Sequence, residues 1–509
     1  MIKLLKLGNA IFFTLAFFWF YFSIYFLFQY LNIDYTNLSD ALAKLLIIFV
    51  IFLFLTFYFK RSFIKIIKRI FRFLLDNKIY VFIAMLIFQF IITLTSLGLA
   101  SADTTIVYKI ATNSNFASKS DYISIFPNNF LLVVWMKFNY FLFRENTVFA
   151  LACWNILFID LSILIDYHIH KKVFNKSIAN ISFMILILII GLSPQYIYTY
   201  SDSVTLFLLS LFLFTVVATG FAKNRKKIVL PILSGVILAF AYGFRPTILI
   251  FVIAGVIVLL NQLLSENQRY FVIKSAKTIL IGLIAFVLLN KGISYTIKHQ
   301  TIVNYEPEKS RTLLYFIDLG LTYSGNIHSE ISEKVRESEG KDRNRQALAE
   351  IRTRFKDYNF TTFIGHLSYK YYWITGEGMF GWYQEKVLNE NQRLKGTWLQ
   401  KIQDTKFASL IRTYVYVDGE NYLLYGLFMQ IIWIIISFGL LVSAFFFSLK
   451  NSYQLWMQIA LFGGLIFLMI FEGGRTRYLI QFLPAIVTMS SIGLYNLYKK
   501  FITKVKETA

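Results

Sequence analysis

The sequence holds one cysteine in 509 residues. Cys153 lies in an apolar segment, so a disulfide within the chain and any cysteine-built metal site are both excluded, and a small buried hydrophobe is the plain account of it. Charge is scarce too, at 16% of residues, and acidic residues are the scarcer kind, 28 Asp and Glu against 51 Lys and Arg. No Walker loop, no Rossmann glycine fingerprint and no His-Glu-x-x-His occurs, which leaves nucleotide-phosphate binding and zinc-peptidase chemistry without support. There is also no internal repeat and no low-complexity tail.

What the chain has instead is apolar length. Hydrophobic residues make up 57% of it, in repeated runs of about twenty, the length a helix needs to cross a bilayer core. Aromatic content is 18%, with 54 Phe and 32 Tyr, which suits lipid-facing helices and interfacial belts. The fold class that follows is an all-α polytopic membrane protein of about twelve transmembrane helices. Candidate spans are 10–31, 41–59, 79–99, 147–165, 177–193, 203–221, 228–243, 247–264, 277–296, 422–449, 453–471 and 478–497. The first follows Lys3 and Lys6, is too long for a signal-peptide core and lacks a small-residue cleavage pattern, so it reads as a retained span.

The net charge of +23 could suggest nucleic acid, but its distribution speaks for the positive-inside rule. With a cytoplasmic N-terminus, the inner connections carry nearly half of all Lys and Arg, densest in Lys60 to Arg72, and the short outer ones carry few. Both termini are then cytoplasmic. The threading requires that Asn128 to Phe143 not span: it would rise about 24 Å against a core of roughly 30 Å, and it reads as an interfacial helix. Four parts result: 1–78, a transmembrane hairpin with a basic loop; 79–296, a transmembrane core with an outer loop at 100–146; 297–421, an extracytoplasmic insert of nearly balanced charge; and 422–509, three spans. Ser329 to Tyr358 reads as one or two solvated helices broken at Gly340.

Four charged features fall in the outer connections: Asp103; Asp202 in Tyr198-Thr-Tyr-Ser-Asp-Ser203; Arg245 before Pro246; and Glu472-Gly-Gly-Arg-Thr-Arg-Tyr478. Carboxylates and arginines converging at a lipid interface fit an anionic lipid-phosphate substrate, because a guanidinium binds phosphate through a fork and a carboxylate can accept a hydroxyl proton. Each feature also has a structural reading. Asp103 and Asp202 suit helix caps, Arg245 suits snorkelling, and Arg477 beside Tyr478 suits an interfacial anchor. Lys109 lies in the same loop as Asp103. Glu377 sits in a loop of two tryptophans and three glycines, Trp373 to Trp382, shaped either to stack on a sugar or to form an aromatic turn. His168 and His170 fall in a basic inner connection and read as solvated.

Taken together, Asp103, Phe126-Pro-Asn-Asn129, Tyr200-Ser-Asp202, Phe244-Arg-Pro246 and Glu472-x-x-Arg475-x-Arg-Tyr478-x-x-x-Phe-x-Pro484 resemble the polyprenyl-phosphate-dependent GT-C glycosyltransferases, in particular an integral membrane branch of Gram-positive bacteria. The resemblance covers most spans but not the detail of the insert. It implies an inverting transfer of a sugar from a polyprenyl phosphate, such as undecaprenyl phosphate, to an extracytoplasmic acceptor, with Asp103 as general base. Arg245, Arg475 and Arg477 are then the phosphate ligands, with Asp202, Glu472, Glu377 and Lys109 as further site candidates. Teichoic acids and capsular or rhamnose polysaccharides all stand as acceptors. Two features depart from the family. Thr104 and Thr105 follow Asp103, so the Asp-x-Asp metal pair is missing and nothing supports a divalent cation, and the N-terminal hairpin adds two spans ahead of the one that precedes the Asp loop in many members. The partners implied are a lipid-linked sugar donor, a cell-envelope glycan acceptor and the bilayer, with no nucleic acid. A flippase for lipid-linked oligosaccharide, or a wall-polymer polymerase or ligase, are the competing readings.

Overall fold

The computed structural model describes residues 2–30, 69–70, 72–99, 103–325, 327–380, 388–394, 396–471, 473 and 475–507. Its long helices are α1 (Ile2–Tyr30), α2 (Lys78–Ser96), α3 (Asp103–Thr112), α4 (Phe130–Phe143), α5 (Thr147–Val173), α6 (Lys176–Leu186), α7 (Ser201–Gly220), α8 (Lys226–Phe244), α9 (Leu249–Leu263), α10 (Glu266–His299), α11 (Leu313–Gly320), α12 (Gly340–Asp357), α13 (Phe360–Thr375), α14 (Lys406–Val415), α15 (Tyr422–Ser443), α16 (Ser452–Ile470) and α17 (Leu483–Glu507). Among the described residues the only extended pairing is a single bridge between Gly98 and Arg393. Among the described residues ten helices are long and apolar enough to cross a membrane, and α6 with the π-turn Ile187–Gly191 adds a shorter apolar one. Eleven of the twelve spans expected from hydropathy are therefore helical here, and 41–59 lies outside the described residues.

With lipid as the outer solvent, helices gain little by hiding Leu from it, so close backbone approach decides where they pack. At two crossings glycine is required. A Cβ on Gly235 of α8 would run into the Gly282 carbonyl of α10, and one on Gly493 of α17 into the Gly439 carbonyl of α15. The spans with little buried surface, α9 and α10, stand at the rim, whereas α15, α16 and α17 form the centre. α1 closes onto that centre: Trp19 packs on Trp433 with ring centroids 5.6 Å apart, and Gln430 donates to the Ser23 carbonyl at 2.7 Å.

α4 is a separate helix from α5. Arg144 between them takes a positive φ of 48° and the chain turns through a 3-10 segment, Arg144–Asn146. α5, however, runs past residue 165 to Val173. The reading of Asp166 to His170 as a solvated connection is thereby corrected: Asp166, Ile169 and His170 form a buried stripe at helical spacing, while His168, Lys171 and Lys172 point outward.

The insert begins with a strand-like run onto the Asp103 loop. Arg311 N–H donates to the Ile125 carbonyl at 3.2 Å, and Glu306 N–H donates to Ser124 Oγ at 2.9 Å. Within 329–358 the chain forms a short helix, Glu333–Glu337, and then α12, which starts at Gly340 with φ of 50°. Lys370 of α13 is wholly buried and its ammonium donates to the carbonyls of Gly320, Met469 and Phe471 at 2.7, 2.8 and 3.0 Å. Those carbonyls lie at the C-terminal ends of α11 and α16, where the helix dipoles favour a cation. One buried charge thus fastens the insert to the connection that carries Arg475 and Arg477.

Candidate functional site at the Asp103 end of the bundle

Four of the charged residues picked from the sequence meet around one tyrosine. Asp202 stands in the first turn of α7 and makes no cap. Its Oδ1 lies 2.6 Å from Arg245 Nη2, at the C-terminal end of α8, and its Oδ2 accepts from Arg477 Nε at 3.0 Å. Arg245 Nε also donates to Ser201 Oγ at 2.9 Å. Arg477 is 6% exposed, so its place is the interior of the bundle, and the interfacial-anchor reading does not describe it. Two guanidiniums on one carboxylate, Arg477 buried and Arg245 half-buried, leave this group with a formal charge of +1.

Tyr200, immediately before α7, joins this group to Asp103. Its ring lies against Arg477 at 4.6 Å and Arg245 at 5.8 Å, cation–π distances on both sides. Its hydroxyl donates to Asp103 Oδ2 at 3.4 Å and accepts from Asn129 Nδ2 at 3.2 Å, and Asn129 Nδ2 also reaches Tyr122 OH at 2.8 Å. Asp103 itself begins α3 and is exposed. Burial, reinforced by the charge of Asp103, raises the Tyr200 phenol well above its ordinary range, and burial does the same to Tyr122. Both therefore remain hydroxyl donors at physiological pH. With the Asp202 oxygens engaged by two arginines, Asp103 is the carboxylate of this group open to take a proton from a bound molecule.

The backbone that presents these groups is fixed from below. After the π-turn, a short 3-10 helix, Pro194–Ile197, delivers Tyr198 to Tyr200, and this segment is pinned by Asn155 Nδ2 to Thr199 Oγ1 at 2.9 Å and Thr104 Oγ1 to the Thr199 carbonyl at 3.1 Å. A small cavity of about 40 Å³ lies beside Asp202, lined by Ile159, Tyr196, Tyr198, Leu206, Phe380 and Ile480 among others. A second, of about 10 Å³, lies behind α3 between Leu99, Thr104, Tyr108, Met136, Leu151 and Thr199. Both are mainly apolar.

The other candidates stand differently. Arg475 lies toward the insert, close enough to His328 for its charge, after burial and Arg311, to help push that imidazole down to about 4. Arg311 bridges the two regions, stacked on Phe126 at 4.6 Å and Tyr315 at 4.7 Å and 3.0 Å from His328 Nε2. Glu377 is 2% exposed. Its loop is packed so closely that a Cβ on Gly378 would meet Trp433 and the Met429 carbonyl, which is the geometry of an interior turn; Trp382 lies outside the described residues. Lys109 is exposed six residues along α3 from Asp103, about 120° round the helix, with its ammonium 5.8 Å from the Phe116 ring. Glu472 lies outside the described residues. No group of three or more His, Cys, Asp or Glu suited to a metal occurs among the described residues.

Tyr200, Tyr122, Asn129, Arg311 and His328 were not among the sequence candidates. Tyr200 was legible only as a neighbour of Asp202. Arg311 and His328 sit in an insert whose docking no local pattern announces.

Comparison with known proteins gives a family and distant structural likenesses. No curated protein matches the chain. Among solved structures it is similar to the archaeal oligosaccharyltransferase AglB from Archaeoglobus fulgidus in complex with an inhibitory peptide and a dolichol-phosphate, at 14% identity over 85% of this chain and 52% of that one, with a TM-score of 0.37. The apo form of the Archaeoglobus fulgidus enzyme gives 14% identity, 84% and 52% coverage and a TM-score of 0.41. ArnT from Cupriavidus metallidurans in the apo state gives 12% identity, 82% and 78% coverage and a TM-score of 0.30. The chain spans about half the length of the oligosaccharyltransferase chains. The family model described as conserved hypothetical integral membrane protein matches residues 2–496, nearly the whole sequence, and the chain belongs to that family.

Proposed function

We propose that the protein is a membrane glycosyltransferase that moves a sugar from a polyprenyl-phosphate donor to a glycopolymer or glycolipid acceptor of the cell envelope, with inversion. Asp103 takes the proton of the acceptor hydroxyl, the acceptor oxygen bonds to the sugar's anomeric carbon, and the bond from that carbon to the phosphate oxygen breaks. The departing polyprenyl phosphate keeps the electron pair. Arg245 and Arg477 face the developing phosphate charge, and Arg475 extends the positive surface toward the insert. The observation that carries this reading is the exposed Asp103 carboxylate joined through the Tyr200 hydroxyl and ring to the buried Arg245–Asp202–Arg477 group.

Asp202 gives the site its fixity. A guanidinium held by one carboxylate keeps its remaining N–H donors in a set plane, which a flexible arginine at a lipid surface does not. The charge distribution supports a site on the outer face of the cytoplasmic membrane, with both termini inside and the 297–421 insert covering the Asp103 loop. Undecaprenyl phosphate as carrier and a teichoic acid or other wall polysaccharide as acceptor are the candidates for a Gram-positive envelope.

The test is sugar transfer by purified protein in nanodiscs from a synthetic polyprenyl-phosphate sugar to envelope glycan. Product that appears with wild type and is lost with Asp103→Asn supports the reading. Movement of lipid-linked sugar across vesicles with no glycosidic product would replace it with a transporter.

A further inference from the structure

The half of the bundle away from Asp103 contains a second polar cluster, which sugar transfer as proposed does not use. Asp166 and His170 stand one turn apart on the same face of α5, 2% and 1% exposed. Ser210 of α7 faces the Asp166 carboxyl, His170 Nε2 lies 2.6 Å from Thr488 Oγ1 of α17, and the His170 ring is 6.4 Å from that of Tyr453 at the start of α16. Along α5, Asp166 is about 16 Å from Asn155, which supports the Tyr200 segment. Along α7, Ser210 is about 12 Å from Asp202. The two clusters therefore occupy different depths of the bundle.

Hydrogen placement in this cluster follows from its contacts. The Thr488 hydroxyl donates to the Pro484 carbonyl at 2.6 Å, so its oxygen is an acceptor toward His170. Nε2 is then the ring nitrogen that carries hydrogen, and Nδ1 presents a lone pair. Nδ1 and both carboxylate oxygens of Asp166 are buried without a hydrogen-bond partner. Among the described residues, the groups around them supply no compensating cation. α5 itself places Asp160 toward the other end, where Gln89 Nε2 donates to it at 3.0 Å, and its His168, Lys171 and Lys172 are exposed. α16 contributes Tyr453, α7 and α17 contribute hydroxyls, and α6 contributes Ser182, with its Lys176 exposed at the start. Three bare acceptors in a dry interior are one positive charge short.

We propose that Asp166 and His170 form a proton-binding site in the interior of the bundle, which takes one proton from solution and holds it on the Asp166 carboxyl or on His170 Nδ1, one turn away on the same face. Binding forms one O–H or N–H bond and breaks none in the protein, and it brings the Asp166–His170 pair to zero net charge. Ser210 lends its hydroxyl to the second carboxyl oxygen.

Infrared difference spectroscopy of the full chain in nanodiscs tests this. At neutral pH the wild type should show a protonated-carboxyl C=O stretch that Asp166→Asn abolishes and Asp103→Asn leaves in place. His170→Gln, which keeps Asp166, should shift or remove the same band, and this variant decides the matter if Asp166→Asn does not fold. Absence of an Asp166-dependent band at neutral pH overturns the proposal, as does a band indifferent to His170→Gln. A rise in unfolding temperature with sodium or potassium, present in wild type and lost in Asp166→Asn, would also overturn it in favour of a metal-cation site.

Discussion

At the Asp103 end of the bundle Asp202 meets two guanidiniums, while at the other end Asp166 meets none among the described residues. Both carboxyls are buried between spans, and neither could persist as a lone ion there. Asp202 is offset by charges held in the protein, drawn from the ends of three helices that sequence separation puts far apart: Asp202 at the start of α7, Arg245 at the end of α8 and Arg477 before α17. Asp166 has hydroxyls and an imidazole for neighbours, groups that answer to a proton. The comparison teaches that an ionisable residue in a span is read by what is at its level in the bundle. A carboxylate locked to arginines builds a fixed positive surface, and one left among acceptors builds a titratable site.

The largest expected effect tests the chemical half of this contrast. Asp103→Asn should lower sugar transfer by about two to four orders of magnitude, the usual scale for losing a general base. Its unfolding temperature should stay near that of wild type, because the side chain is exposed.

Breaking the fixed pair should cost stability. Asp202→Asn takes the carboxylate away from the buried Arg477 and the half-buried Arg245, a change on the order of 3–5 kcal/mol, measurable by denaturation in detergent, while Asp166→Asn should cost about 1 kcal/mol or less if the carboxyl is already neutral. Equal losses in the two variants would erase the contrast. Arg477→Lys should also lower transfer, since an ammonium keeps the charge but not the fork.

Tyr200→Phe is a finer probe. It removes the hydroxyl bonded to Asp103 but keeps the ring against both arginines, so transfer should fall about three- to tenfold, the scale of one hydrogen bond of roughly 1 kcal/mol. A loss as large as that of Asp103→Asn would move the base role onto the phenol.

The smallest effect is a pH response of the insert. His328 is held down to about 4 by burial, then by Arg311 and Arg475. The folded insert therefore resists protonation that the unfolded chain accepts near pH 6.5, so this group's share of stability is present above about 6.5 and is lost as pH falls toward 4. Asp318, raised to about 6 by burial and by Glu350, acts in the opposite sense and loses its contribution as pH rises through 6. Hydrogen exchange over 313–337 should show the acid-side loosening in wild type and less of it in His328→Gln.

How much was legible in the sequence depends on whether the signal is local. Hydropathy runs of fixed length marked the helices, since a bilayer imposes one length on every span. Asp103, Asp202, Arg245 and Arg477 stood out because each is a charge in a short connection between apolar helices. The end of α5 was misplaced because the hydrophobic run stops at Ile165 while the helix continues, with only one face buried. Arg477 looked like an anchor because its neighbour is a tyrosine at a span boundary, and its partner Asp202 is 275 residues away.

The sequence by itself determined the class of the protein, most of its spans and the side chains on which chemistry can be based, because these follow from composition and period along one helix. Only the tertiary structure decided that Tyr200 ties Asp103 to the arginine pair, that Lys370 fastens the insert to the Arg475 connection, and that Asp166 and His170 face inward. Those relations join helix ends distant in sequence. Close packing at small residues, and the need of each buried polar group for a partner, set them.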